Sequence, residues 1–207
     1  MITVIYYTSN QEKKEFEQKI RAKLFEAIGE LPLISVSQKP IEFGYNICVG
    51  DIGASDENIL KQLLIGCEAA DTPFIAQAEA DCLYPPTGYF DFKPDNINAV
   101  YRYTNLWISS YSWNHYRKKA YSLCGQISGR KYLINRIKEI LGPPLIERKD
   151  IVNRKTGWIP FESPLPIINI KTGHSLRRMT GTIRGVFPEK SLPHWGKAID
   201  LKREFGI

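Results

Sequence analysis

The chain has 207 residues, 43% of them hydrophobic and 24% charged, a balance that excludes a disordered or low-complexity protein and fits one sizeable domain. Its formal charge of +6 is split unevenly: residues 1–100 hold 8 Lys and Arg against 15 Asp and Glu, and residues 101–207 hold 20 against 7. No apolar run approaches a membrane span, MITVIYY lacks the basic n-region of a signal peptide, and Cys48, Cys67, Cys82 and Cys124 form no C-x-x-C pair, so the thiols read as reduced and not as a disulfide or zinc framework.

In chain order, residues 2–7 (ITVIYY) read as a strand from their β-branched and aromatic content, and Ser9 or Asn10 can cap a helix over 11–30 that carries Phe16, Ile20, Leu24, Phe25 and Ile28 at helical spacing. Residues 31–37 and 45–49 follow as strands. Ser55 starts a second helix, with Asp56 and Glu57 in the first turn where the helix dipole favours acids. Residues 72–78 form the next strand, which delivers Glu79 and Asp81. The second half is less regular: two strands over 98–111, a helix over 124–141 stopped by Gly142–Pro143–Pro144, a loop-like stretch over 145–165 anchored by Trp158 and Phe161, a strand over 166–170, a polar turn region over 171–181 and a short terminal helix.

The alternation of strands and helices over 1–81 predicts a mostly parallel α/β sheet covered by helices, in a single domain. Ligands of such sheets bind outside the carboxyl ends of the strands. The loops at 7–10, 37–40 and 79–85 therefore share one ligand-binding edge.

AQAEADCLYPP, residues 76–86, places an acid–x–acid pair at the end of an apolar strand. On a continuous strand the two carboxylates share a face and repel unless a cation or water lies between them. Hard oxygen ligands suit Mg²⁺ or Mn²⁺, which completes its shell with water and phosphates, so the pattern fits a metal–diphosphate site; a solvated turn is the plainer reading of the spacing alone. Neither a Walker A loop nor a G-x-G-x-x-G after the first strand is present, and G-x-S-x-G is missing, which argues against P-loop, dinucleotide and α/β-hydrolase chemistry.

The succession of strand, TSN, helix and strand, followed by GDIGASDENILKQLLIGCEAADTPFIAQAEADCLYPP, resembles the nucleotide-sugar half of GT-A glycosyltransferases. Glu79–Ala80–Asp81 stands where that fold has its D-x-D motif, and IINIKTGHSL (167–176) is similar to the late strand and loop of small bacterial and phage members. The resemblance implies a single Rossmann-like GT-A domain with a nucleotide-sugar-binding half (1–97) and an irregular acceptor-binding and site-closing half (98–207), in a cytoplasmic protein of a bacterial or phage-infected cell. It implies that Tyr7, Thr8, Ser9, Ser37, Gln38 and Lys39 hold the base and ribose of a nucleotide, with UDP expected, and that Gln62 or Lys61 adds contacts. Asp81, with Glu79, would hold Mn²⁺ or Mg²⁺ against the diphosphate of a UDP-sugar. His174 would add a third ligand or a phosphate contact beside Lys171. His194 is the rival for that role, and His115 reads as surface. An inverting enzyme would need a carboxylate base, for which Glu162, Asp150 and Glu147 are candidates, Glu162 being favoured because it precedes the late strand; a retaining enzyme needs none.

Tyr101, Tyr103, Trp107, Tyr111, Trp113, Tyr116, Tyr121 and Tyr132 are interleaved with Arg102, Arg117, Lys118, Lys119, Arg130, Lys131 and Arg136. Aromatics among basic residues suit stacked bases and phosphates, and they also suit core packing. The expectation is a polyanionic acceptor, for example a hydroxymethylated pyrimidine in DNA, flipped out or single-stranded. The competing readings are a cell-surface glycan acceptor, a metal-dependent nuclease using Glu79 and Asp81, and a non-catalytic nucleic-acid-binding module.

Overall fold

A computed structural model describes residues 1–120, 122–142, 157–174, 182 and 186–207. The described elements run β1 (Ile2–Thr8), α1 (Lys14–Ile28), β2 (Leu33–Ser37), β3 (Tyr45–Cys48), α2 (Asp56–Ala69), β4 (Phe74–Glu79), β5 (Cys82–Leu83), β6 (Val100–Tyr103), β7 (Leu106–Ser110), β8 (Arg117–Lys119), β9 (Gln126–Gly129), α3 (Arg130–Leu141), β10 (Ile159–Phe161), β11 (Ile167–Lys171), β12 (Ser191–Leu192), β13 (Gly196–Lys197) and α4 (Ala198–Phe205). The larger sheet has the order β10-β6-β9-β4-β1-β2-β3, and a second sheet has the order β5-β11-β7-β8. In the larger sheet β9 pairs antiparallel with both its neighbours and every other pairing is parallel. The α/β class, with a mostly parallel sheet flanked by helices, is the one the alternation predicts.

β1 is buried along its whole length because both faces are covered. One face packs Val4, Tyr6, Phe74, Ala76 and Ala78 with Leu24 and Ile28 of α1. The other packs Ile5, Tyr7 and Ile75 with Leu60 and Leu63 of α2 and with Leu133, Ile137 and Ile140 of α3. Gly66 lets α2 approach this face, since a Cβ there would lie 2.5 Å from Ile5 Cγ2. A third cluster joins Phe16 and Ile20 of α1 to Trp107, Ile168, Ile170 and α4, seating the second sheet against the first half. Among the described residues no helix is long and apolar enough to cross a membrane.

Five local expectations change. α1 begins at Lys14 behind Lys13, whose side chain makes no capping bond, because Asn10 takes a left-handed φ of 53° and turns its amide toward β2. Phe25 is exposed, since one step along α1 turns it about 100° away from the buried Leu24. The helix expected over 124–141 is a strand, β9, and then α3. Gly129 marks the change: a Cβ there would meet the Ile97 carbonyl oxygen at 1.7 Å, so the chains cross where only glycine fits. The strands expected over 98–111 both form, yet they lie in different sheets, and residues 104–105 carry the chain across. The loop-like stretch at 145–165 contributes the edge strand β10 beside β6.

Candidate functional site

The loops after β1 and β2 are tied together by the protein's own polar groups. Asn10 Oδ1 accepts from the backbone N–H groups of Gln38, at 2.9 Å, and Lys39, at 2.8 Å. Gln62, buried on α2, donates to the carbonyls of Thr8 (2.8 Å) and Val36 (3.0 Å). Gln38 donates to Gly53 O at 2.7 Å and accepts from Ile52 N, which fixes the segment that leads into α2. Thr8 Oγ1 donates to Glu17 Oε1 at 2.8 Å, and Ser37 Oγ donates to Lys39 O at 2.7 Å. Of the residues expected to touch a nucleotide, Thr8, Ser37, Gln38 and Gln62 are thus engaged in shaping the edge, while Ser9 is half-buried and Lys39 is exposed. Lys61 is paired with Glu57 at 2.7 Å.

The acid pair sits where the chain leaves one sheet for the other. β4 ends at Glu79, and Asp81 lies in the turn before β5, so the two carboxylates do not share a strand face as the spacing predicts. Tyr7, opposite Glu79 in the parallel register, donates its hydroxyl to Glu79 Oε1 at 2.9 Å. Asp81 is held by β11. Its carbonyl accepts from Ile170 N at 2.7 Å, its Oδ1 accepts from Asn169 Nδ2 at 2.8 Å, and its Oδ2 faces Lys171 Nζ at 2.9 Å. Asn169 Oδ1 accepts from Lys119 Nζ at 3.3 Å, and Lys119 also donates to Ser122 Oγ at 2.9 Å. A chain of contacts, Lys171–Asp81–Asn169–Lys119–Ser122, therefore crosses the second sheet beside Glu79.

Burial raises the pKa of Glu79, and the charge of Asp81 adds to that; Lys119 and Lys171 oppose it. Burial alone would raise Asp81 too, but the charge and hydrogen bond of Lys171, with help from Lys119, hold its carboxyl below the usual range. The Cys82 thiol is pushed up by burial and by its neighbour Cys124.

Lys119, Asn169 and Tyr84, whose hydroxyl accepts from Glu79 N at 3.0 Å, were not expected at the site. Alternation could have found two of them. Asn169 and Lys171 share a face of β11, and Lys119 shares a face with Arg117 while Lys118 points the other way, over the Trp107 ring. Within the run R-K-K the plain reading of a solvated face conceals Lys119, which is buried.

His174 is exposed in the loop after β11. His194 packs on Trp195 and lines a cavity of about 220 Å³ with Lys23, Glu26, Tyr84 and Phe205, between α1 and α4. His115 is stacked on Trp113 and accepts from Arg117 Nε at 3.1 Å. Glu162 is exposed at the carboxyl end of β10, three strand positions from β4, and accepts from Thr104 Oγ1 at 3.0 Å. Asp150, Glu147 and Tyr121 lie outside the described residues. The aromatic set expected to meet the acceptor is largely core: Tyr101, Tyr103, Trp107 and Tyr116 are buried, whereas Tyr111 is exposed and Trp113 and Tyr132 are half-buried.

A hard divalent ion seeks several free oxygen ligands. Here both oxygens of Asp81 are engaged by Asn169 and Lys171, one oxygen of Glu79 is engaged by Tyr7, and the donors that lie close to Glu79 are the thiols of Cys82 and Cys124. The Lys171 ammonium already faces Asp81, and the charge of Lys119 acts on both acids from farther away. Among the described residues the donor set does not fit Mg²⁺ or Mn²⁺ held between the acids.

The fold and this edge define a helix-covered α/β protein with an acid–ammonium cluster at the carboxyl ends of its central strands. No family model matches the chain, and no curated protein matches it. Among solved structures it is similar to a glycosyltransferase involved in glycosylation of the major capsid of PBCV-1, at 10% identity and a TM-score of 0.49 over 81% of this chain and 92% of that one. It is also similar to residues 1–349 of TarS from S. aureus, at 12% identity and 0.46 over 83% and 57%. A third likeness is to the bifunctional IspDF of Campylobacter jejuni, at 10% identity and 0.39 over 78% and 49%. All three likenesses are distant.

Proposed function

We propose that the protein is a glycosyltransferase that moves a sugar from a nucleoside diphosphate donor to an acceptor hydroxyl. One observation carries this reading: the tied loops of β1 and β2 lie beside the turn after β4, where Asp81 pairs with Lys171 and Asn169 links that pair to the buried Lys119, near Glu79. The loops offer a ledge for a nucleoside near Ser9 and Lys39. The cluster offers charged groups for a diphosphate. In transfer, the bond from the anomeric carbon to the diphosphate breaks, the electron pair leaves with the phosphate, and a bond to the acceptor oxygen forms. An inverting enzyme would pass the acceptor proton to a carboxylate, with Glu162 and Asp150 as the candidates.

UDP is the first nucleotide to test, by calorimetry beside the other nucleoside diphosphates. Each would be run with Mn²⁺, with Mg²⁺ and with chelator. UDP binding followed by turnover of a UDP-sugar supports the reading, and failure of every nucleoside diphosphate under all three conditions removes it. For the acceptor, the excess of base over acid in residues 101–207 favours a polyanion, and DNA bearing a hydroxymethylated pyrimidine is the first to try. Binding to DNA should weaken steeply as salt rises. Salt-insensitive binding, or none, would turn the search to glycan acceptors.

A further inference from the structure

Resting on the donor-site reading above, we propose that Lys171 and Lys119 supply the positive charge at the donor's diphosphate, so that the protein binds its nucleotide without a divalent ion. The chain itself places a cation at the acid pair: Lys171 Nζ is 2.9 Å from Asp81 Oδ2, with both side chains largely buried. A metal bound to Asp81 would sit against that ammonium and be repelled by it.

Lys119 is the second, independent observation. It is 6% exposed, yet its hydrogen-bond partners are the neutral groups of Ser122 and Asn169, and no carboxylate contacts it among the described residues. A buried ammonium is costly unless an anion compensates it. Glu79 and Asp81 act on it only from a distance, so the cluster retains capacity for an anion that enters beside Lys119. Asn169 donates to Asp81 and accepts from Lys119, which aligns the two ammonium groups on one face of the second sheet. The ligand class this suits is a nucleoside diphosphate carrying a sugar. As the bond to the sugar breaks, charge grows on the leaving phosphate oxygen, and fixed ammonium groups stabilise it without moving. In this arrangement Asp81 is a positioning residue that aims Lys171.

The test is calorimetric titration of UDP into wild type, Lys119→Met, Lys119→Arg and Lys171→Ala, each in excess EDTA and in Mn²⁺, with thermal unfolding of each variant. Wild type should bind in EDTA within about threefold of its affinity in Mn²⁺. Lys119→Met should lose about tenfold or more while remaining folded, and Lys119→Arg should restore most of the loss. Lys171→Ala, if folded, should bind only with Mn²⁺, because its removal frees Asp81 for a metal. Wild-type binding that requires Mn²⁺ overturns this inference and leaves the glycosyltransferase reading standing. Unchanged EDTA-resistant binding by Lys119→Met also overturns it. No binding of UDP or any other nucleoside diphosphate, with or without metal, removes the donor site and this inference with it.

Discussion

Lys171 Nζ and Asp81 Oδ2 meet at 2.9 Å across a sequence separation of 90 residues, and both side chains are shielded from water. The contact binds the second sheet to the turn after β4 and neutralises one of the two acids at the ligand edge. Breaking a buried pair from one side costs about 3–5 kcal/mol, because it leaves an uncompensated charge. Lys171→Ala should therefore lose about that much in urea unfolding, and adding Asp81→Asn should recover a large part of it. Additive losses in the double variant would show that the pair is not coupled. The pH window follows from the two shifts. Asp81 is depressed, so its contribution is present above its unfolded value and fades as pH falls through the lower folded one. Lys171 is raised, so its contribution is complete below its unfolded value and is lost only at strongly alkaline pH.

Glu17 has the opposite sign. Burial raises its pKa, and the Thr8 hydroxyl and Arg21 only partly offset this. A raised carboxyl contributes fully below its unfolded value and loses that contribution as pH rises through the folded one. Glu17→Gln should therefore gain in melting temperature relative to wild type between pH 4 and pH 7. A constant difference over that range would mean that Glu17 ionises normally.

Gln62 and Lys39 separate shaping from contact. Gln62→Ala leaves the buried carbonyls of Thr8 and Val36 without their side-chain donor and should cost about 1–3 kcal/mol of stability. Lys39 is exposed, so Lys39→Ala should change stability by less than about 0.5 kcal/mol. On the donor-site reading, UDP affinity should fall in both, with a fall in melting temperature only in Gln62→Ala. Equal unfolding curves for the two variants would deny Gln62 its role as a staple.

Gly129→Ala should be among the most damaging single-methyl additions in the chain. Its Cβ would lie 1.7 Å from the Ile97 carbonyl oxygen, and backbone cannot rotate away as a side chain can. A cost of about 3 kcal/mol or more is expected from denaturant unfolding. A near-neutral result would mean that the two segments separate easily enough at this crossing to admit a methyl group.

The first half was legible in the sequence because its signals are local. The buried run of β1, the 3.6-residue spacing of α1 and α2, and the Ser55 cap, which accepts from Asn58 N, all depend on near neighbours. The second half was less so. Residues 126–129 are too short to show a strand period beside the stronger helical pattern of α3, and β6 and β7 look like one hairpin because nothing local says that they join different sheets. Glu79 and Asp81 were visible as an acid pair at a strand end.

What stands beside those acids was decided by tertiary structure. Asn169 and Lys171 come from β11, and Lys119 comes from a run of three basic residues that reads as a wet surface. Strand alternation settles which side of a strand a lysine takes, and it carries no information about which sheet covers that side. Burial of Lys119 and the pairing of Lys171 follow from the chain's turn out of β4 into the second sheet, a long-range event that no window of sequence contains. Sequence alone thus determined the α/β frame and the place of the acid pair at the end of a core strand. Lys171 was expected at the site, and only the packing of one sheet against the other determined that it pairs with Asp81 and that Lys119 stands beside it.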